Sequence, residues 1–261
     1  MTDFAVNVFR LANQRGYLVP PLNIYYAEQD TGLQWRLTCG GTRAYLVRFG
    51  QSLDEDLDEQ AADSHFMVQR ITSSLLLGGV GLFQAEAMGR VIFKDVKGLV
   101  TWTAHLDCPP ALGEEESSDV VDRVHEWCSV LCRHSVIRRA ADDAHAALTQ
   151  PHEAIVFVYR GLEWLKEGQG IEWEDIARDT GVSMSEIRDL KKTANYQTGA
   201  RHATKDGTKM RAIAVNYGTW VCGLIDAINA ARARVEPDFE PMTADQVADA
   251  VMRAAPTVPY P

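Results

Sequence analysis

Residues 171–202 read IEWEDIARDTGVSMSEIRDLKKTANYQTGARH. Ile176-Ala177, Gly181-Val182, Ile187 and Leu190 stand at the offsets where a helix-turn-helix places a buried alanine, a turn glycine and the apolar face of its second helix. Ser183-Met184-Ser185-Glu186 is a capping box, in which the serine and glutamate side chains satisfy orphan backbone donors reciprocally, so a helix is expected to begin at Ser183. That helix runs into a polar, cationic segment containing Asn195, Arg201 and His202. The stretch therefore reads in two ways. It is a DNA-reading unit, or it is the middle of a helical bundle whose polar segment bears on RNA.

Charge around the stretch opposes the average of the chain. Arg188, Lys191, Lys192, Arg201, Lys205, Lys209 and Arg211 face only Asp189 and Asp206 over the same span, in a protein whose formal net charge is −10. The overall acidity disfavours indiscriminate binding to nucleic acid or anionic membrane, and the local contrast is the reason to consider phosphate contacts. Cations gathered at a helix end also complement the helix macrodipole, which is the structural alternative. On the phosphate reading, Arg188, Lys191, Lys192, Lys205, Lys209 and Arg211 are the nucleic-acid-binding candidates.

Outward from this stretch, residues 119–236 read as a helical bundle. Val120, Val124, Trp127 and Leu131 form a helical stripe that continues through Ile137, Ala141, Ala144 and Leu148, as one helix of about 30 residues. Pro151 suits the first position of the next helix, and the unbroken apolar run Ile155–Tyr159 makes that helix central; Gly168 and Gly170 close it. Ile213, Tyr217, Trp220, Val221, Leu224 and Ile228 mark a last long helix packed by one face. Residues 237–261 read as a short helix, capped by Thr243 and Gln246, and a proline-rich tail.

The N-terminal residues 1–110 have a different pattern. Phe4, Val8 and Leu11 recur at helical spacing, so Asp3 to Gln14 is expected to be a short helix, and Pro20-Pro21 marks an extended connection. Trp35, Leu37 and Cys39 alternate with polar residues, Gly40-Gly41 supplies a turn, and Tyr45, Val47 and Phe49 alternate on the return: a β-hairpin. An acidic loop over 51–64, a helix from Phe66 to Leu77, a buried turn or strand at the glycine cluster 78–81, and short strands at Arg90–Phe93 and Leu99–His105 complete the domain. Pro109-Pro110 and the acidic stretch 111–118 read as the domain boundary and linker. The expected class is α+β, a mixed N-terminal domain with a hairpin and short strands followed by an all-α bundle.

Several chemistries are disfavoured. No apolar run reaches the roughly 18 residues of a membrane span, and the N-terminal MTDFAVNVFR carries an early acid and no apolar signal core, so a cytoplasmic location with no membrane partner is expected. Five scattered cysteines suit a reducing compartment rather than a disulfide framework. The acidic loop lacks the turn glycine of an EF-hand, and the glycine cluster lacks the Lys-Ser/Thr of a phosphate loop. His125, Cys128 and Cys132 share a helix face near His134, but no second ligand pair accompanies them; they read as packed residues, and neither metal nor cofactor is expected.

Asn195, Arg201 and His202 are the candidate catalytic group. An imidazole beside a guanidinium and an amide suits RNA cleavage: the histidine moves the proton of the 2′-hydroxyl or the leaving oxygen, and the arginine stabilises the pentavalent phosphate. His202 tied to a helix end is the structural alternative.

From about Val120 to Val235 the pattern resembles a HEPN domain, as found in proteins of phage-defence and methylamine-utilisation contexts. A long helix is followed by a buried second helix with an aromatic-Arg-x-x-Glu element, here Tyr159-Arg160-Gly161-Leu162-Glu163, then a polar Asn…Arg-His segment and a last long helix. The resemblance implies a four- to five-helix bundle, often a homodimer with its polar motifs facing each other, and gives Arg160 and Glu163 a supporting role. Active HEPN ribonucleases carry an arginine a few residues ahead of the histidine. Here Asn195 occupies that place and Arg201 directly precedes His202. The expectation is therefore a HEPN-like protein that engages RNA, either as a metal-independent endoribonuclease or as its non-catalytic relative in a defence or stress role. A helix-turn-helix DNA-binding regulator using residues 171–192 and a dimerising scaffold or ligand-binding protein are the alternatives.

Overall fold

The computed structural model describes residues 2–13, 19–27, 34–49, 57–96, 114–199 and 217–238. These divide into two compact units. One holds the strands, helix α1 (Leu57–Leu77) through Ser74, and helix α2 (Glu114–Arg133) through Ser129; the other holds residues 75–82 and the chain from Val130 onward. The class is α+β, with an antiparallel sheet in the N-terminal part and helices in the C-terminal part.

The sheet has the order β2-β3-β4-β1-β5, from β1 (Thr2–Ala12), β2 (Val19–Ala27), β3 (Gln34–Gly41), β4 (Arg43–Phe49) and β5 (Gln84–Val96). The expected hairpin is β3–β4. Trp35 lies opposite Arg48, Leu37 opposite Leu46 and Cys39 opposite Ala44, and Gly41 turns the chain at φ 60°, a left-handed conformation that glycine adopts without steric cost.

Two segments depart from expectation. Residues 3–14 are not a helix: β1 is a central strand between β4 and β5, with Val6 buried on one face and Phe9 and Leu11 on the other. A strand buried on both faces loses the simple alternation, and its apolar residues then fall at helical spacings by coincidence. Pro20-Pro21 belongs to β2 rather than to a connection. It sits at the sheet edge, where a register irregularity between Val19 and Leu22 removes the need for proline amides to join the ladder.

Other boundaries shift outward. The helix expected from Phe66 begins at Leu57, so residues 57–64 of the acidic stretch are helical, and 51–56 lie outside the described residues. The glycine cluster is a turn, with Gly79 at φ 81° and the Val80 amide bonded to the Leu75 carbonyl at 2.9 Å. β5 is longer than the expected Arg90–Phe93, and Met88 bulges out between the Val8–Gly89 and Phe9–Ala87 pairs. The strand expected at 99–105 lies outside the described residues.

One sheet face carries Phe9, Leu11, Leu22, Ile24, Trp35, Leu37, Cys39, Ala44 and Leu46, all buried. Helix α1 meets this face where the Asn7 side chain donates to Ser64 Oγ at 2.9 Å and Asp63 approaches Arg48, and its Met67, Val68 and Ile71 are buried. Each large apolar side chain fully buried there contributes roughly 1.5–3 kcal/mol.

The helix expected over 120–148 is broken. α2 ends at Arg133, His134 takes an extended conformation (φ −115°, ψ 92°), and α3 (Ser135–Thr149) starts anew. α2 begins at Glu114, so residues 114–118 of the stretch read as a linker are helical, while 111–113 lie outside the described residues. A turn of 3-10 helix at Pro151–Glu153 leads into α4 (Ala154–Gln169), which is capped by left-handed Gly170 and buried along Ile155, Phe157, Val158, Tyr159, Leu162 and Leu165. α5 (Trp173–Thr180), α6 (Met184–Gly199) and α7 (Tyr217–Val235) follow.

In this unit α3 and α4 run antiparallel. Asp143 reaches Arg160, and a Cβ on Gly168 would lie 2.6 Å from Val136 Cγ1. α4 also packs on α6 and α7, and α5 on α7. The one-faced packing expected of α7 does not hold: Trp220, Val221, Gly223, Leu224, Ile225, Ala227 and Ile228 are buried over most of its circumference. A small residue on α4 helps: a Cβ on Gly161 would lie 2.9 Å from the Leu224 methyls. Residues 239–261, with the expected short helix and tail, lie outside the described residues.

Candidate nucleic-acid interface

The second helix of the opening stretch forms as its capping box requires. The Ser183 amide donates to Glu186 Oε2 at 2.7 Å, and the Glu186 amide donates to Ser183 Oγ at 3.3 Å. These bonds hold the Glu186 carboxyl below its ordinary value, the backbone N–H of Ser183 being the largest cause. Before it, α5 has its own capping box between Glu172 and Asp175 and ends at left-handed Gly181, φ 68°. The alanine expected to be buried, Ala177, is only half-buried, and Ile176 fills the interior position instead.

Helix α6 is two-sided. Ile187, Leu190, Thr193 and Ala194 are buried, whereas Arg188, Lys191, Lys192 and Asn195 are exposed. The exposed four stand at i, i+3, i+4 and i+7, so they share one face of the helix. Lys192 also lies 3.5 Å from Asp189. Three of the acids nearby are engaged by other groups: Asp175 accepts from Arg178, Asp179 pairs with Arg234, and Glu186 is held by Ser183. The amide of Glu172, then Arg178, holds the Asp175 carboxyl below its ordinary value. Arg201, His202, Lys205, Lys209 and Arg211 lie outside the described residues.

The Tyr159-Arg160-Gly161-Leu162-Glu163 element divides into two contacts. The Tyr159 hydroxyl donates to Glu163 Oε1 at 3.1 Å, and its ring stacks on Trp173 with centroids 5.8 Å apart. Burial, then the Glu163 charge, pushes the phenol up to about 12. Arg160 turns instead to Asp143 of α3, its Nε 3.0 Å from both carboxylate oxygens and its Nη2 also bonded, with the guanidinium 5.0 Å from the Phe157 ring. Burial pushes the Asp143 carboxyl up, and the donors of Arg160 oppose that shift. Sequence reasoning missed Asp143. Its signal was an acid inside the apolar stripe of α3, between Ala140-Ala141 and Ala144.

Among the described residues no three His, Cys, Asp or Glu side chains converge as a metal-binding group. Cys128 is buried and His125 and Cys132 are part-buried on α2. No described helix is long and apolar enough to cross a membrane. No family model, curated protein or solved structure matches this chain.

Proposed function

We propose that this chain engages RNA through the exposed face of α6 and the cationic segment that follows it, as a HEPN-like protein. One observation carries the reading: Arg188, Lys191, Lys192 and Asn195 share a solvent-facing helix surface, while the neighbouring carboxylates Asp175, Asp179 and Glu186 are occupied by other partners. Cations that can approach phosphates supply most of the affinity for a nucleic-acid backbone. In this reading Asn195, Arg201 and His202 are the cleavage group, with His202 moving the proton and Arg201 stabilising the phosphate; Arg160 supports the bundle by joining α4 to α3 through Asp143, and Glu163 by holding Tyr159 within α4. The protein acts in the cytoplasm as a homodimer that juxtaposes two such segments, in a defence or stress role.

A second reading, a DNA-binding regulator, is favoured by the local geometry of α5, the Gly181 turn and the capped start of α6, which would present Ser185 and Arg188 to a major groove. The two separate by titration of labelled single-stranded RNA and duplex DNA over a range of salt. RNA is expected to bind more tightly and to be cut without metal, and His202→Ala should abolish cutting while binding persists. Sequence-selective duplex binding with no RNA affinity establishes the regulator, and binding to neither establishes the scaffold.

A further inference from the structure

The sheet face turned away from Asn7 and Ser64 is divided. Strand alternation and register place on it Val6 of β1, Tyr45 and Val47 of β4, Arg36 and Thr38 of β3, and Asn23 and Tyr25 of β2. Val6, Tyr45 and Val47 are buried, whereas Asn23, Tyr25 and Arg36, on the strand pair at the end of the sheet, are exposed. Tyr25 stands directly opposite Arg36 and is 60% exposed; Asn23 stands opposite Thr38.

These four side chains make one ordered patch. Arg36 Nε donates to Asn23 Oδ1 at 3.1 Å, and Thr38 Oγ1 donates to the same oxygen at 3.4 Å. Two donors occupy both lone pairs of that oxygen, so the amide is fixed with its nitrogen as the end left for a ligand. The remaining groups of the pair, the Asn23 amide N–H bonds and the Arg36 Nη groups, are all donors, and the patch holds no carboxylate. Beside them lies the Tyr25 ring, on the outermost strand of the order, where a flat ligand meets it without displacing another strand. An unstacked nucleobase asks for this combination: a π face to lie on, and donors for its ring nitrogens and carbonyl oxygens.

We propose that this corner of the sheet takes up one base of single-stranded RNA, stacked on Tyr25, with Asn23 Nδ2 and Arg36 donating to acceptors on the base edge. The ligand class rests on the RNA reading above, while the site is a different one, in the other unit. An acidic peptide would also suit the donors of Asn23 and Arg36, but it has no use for an exposed ring. Tyr25 is therefore the residue that favours the base. Recognition here differs in kind from that on α6, because stacking depends on the base and a lysine–phosphate contact does not.

The test is titration of the full chain with a labelled single-stranded RNA and with an abasic strand of equal length. Tyr25→Thr suits an exposed strand position and removes the ring. It should weaken RNA binding about tenfold, leave binding of the abasic strand unchanged, and leave the salt slope as in wild type, because stacking releases no counterion. Tyr25→Phe keeps the stack and should bind close to wild type. In the Arg188→Gln, Lys192→Gln background the Tyr25→Thr factor should be the same, since the two contacts share no partner. RNA binding that Tyr25→Thr leaves unchanged, or a deficit equal on both strands, overturns this proposal and spares the reading of α6. A Tyr25→Thr loss that is as large for polyglutamate as for RNA overturns it in favour of an acidic peptide. No affinity for RNA at all overturns it together with the reading on which it rests.

Discussion

The two units place their arginines in opposite environments. On the sheet face that meets Ser64 of α1, Arg48 is buried against Trp35; on α6, Arg188 and Lys191 project into water from a helix whose other side is packed. Burial strengthens each electrostatic interaction and makes it selective for a partner of the right shape, because charge out of water must be matched atom by atom. Exposure leaves a cation hydrated and screened, useful only when many act together on a polyanion. The same residue type is therefore held against an aromatic ring in one unit and left in water in the other.

Arg160 lies between these extremes and gives the largest expected effect. Half of its side chain is exposed, but its partner Asp143 is 4% exposed, so Arg160→Ala strands a carboxylate inside the bundle. The expected loss is about 2–3 kcal/mol, below the range for a fully buried pair because solvent already reaches the guanidinium. It also has a pH signature. Burial raises the Asp143 carboxyl, so the folded state holds that proton more tightly than the unfolded chain, and this contribution to stability is present at acid pH and lost as pH rises through the raised value. Denaturant unfolding of the variant should therefore show its deficit widest near neutrality and narrowing toward pH 4. A deficit that is constant with pH would remove Asp143 from the explanation.

Ser183→Ala comes next, because the cap decides where the displayed face of α6 begins. Removing the hydroxyl frees the Glu186 amide and releases the Glu186 carboxylate from its side-chain bond, at a cost of about 1 kcal/mol. Ser183→Asp should restore most of the loss in the same unfolding measurement, since aspartate caps as well as serine. Failure of that rescue would mean the hydroxyl acts other than as a cap.

Legibility in the sequence follows the same division between faces. The β3–β4 hairpin and the α5–α6 turn can be read because each carries a local signal: alternation around Gly40-Gly41, and caps around Gly181 and Ser183. β1 reads wrongly as a helix because Val6 and Phe9 are buried on opposite faces, so a central strand imitates a helical period. The break at His134 has no proline or glycine to announce it. Asp143 shows in the sequence only as an acid inside the apolar stripe of α3, while its pairing with Arg160 and the Trp35–Arg48 contact cannot be read there, since each depends on a partner brought in from another element. Of the candidate cleavage group only Asn195, exposed on α6, falls within the described residues.

The smallest effect on stability is expected from Arg188→Gln combined with Lys192→Gln, and it bears most directly on function. Both side chains are exposed, and the ion pair of Lys192 is with solvated Asp189 at 3.5 Å, so unfolding should change by less than about 0.5 kcal/mol. On the proposed RNA reading, affinity responds differently. A cation that touches a phosphate releases a counterion, so removing one such cation flattens the dependence of log affinity on log salt by about 0.7 for a single strand. The double variant should therefore reduce that slope by about 1.4 while weakening binding at low salt. If the slope is unchanged although affinity falls, α6 does not touch the backbone, and the phosphates must be met elsewhere on the helical unit.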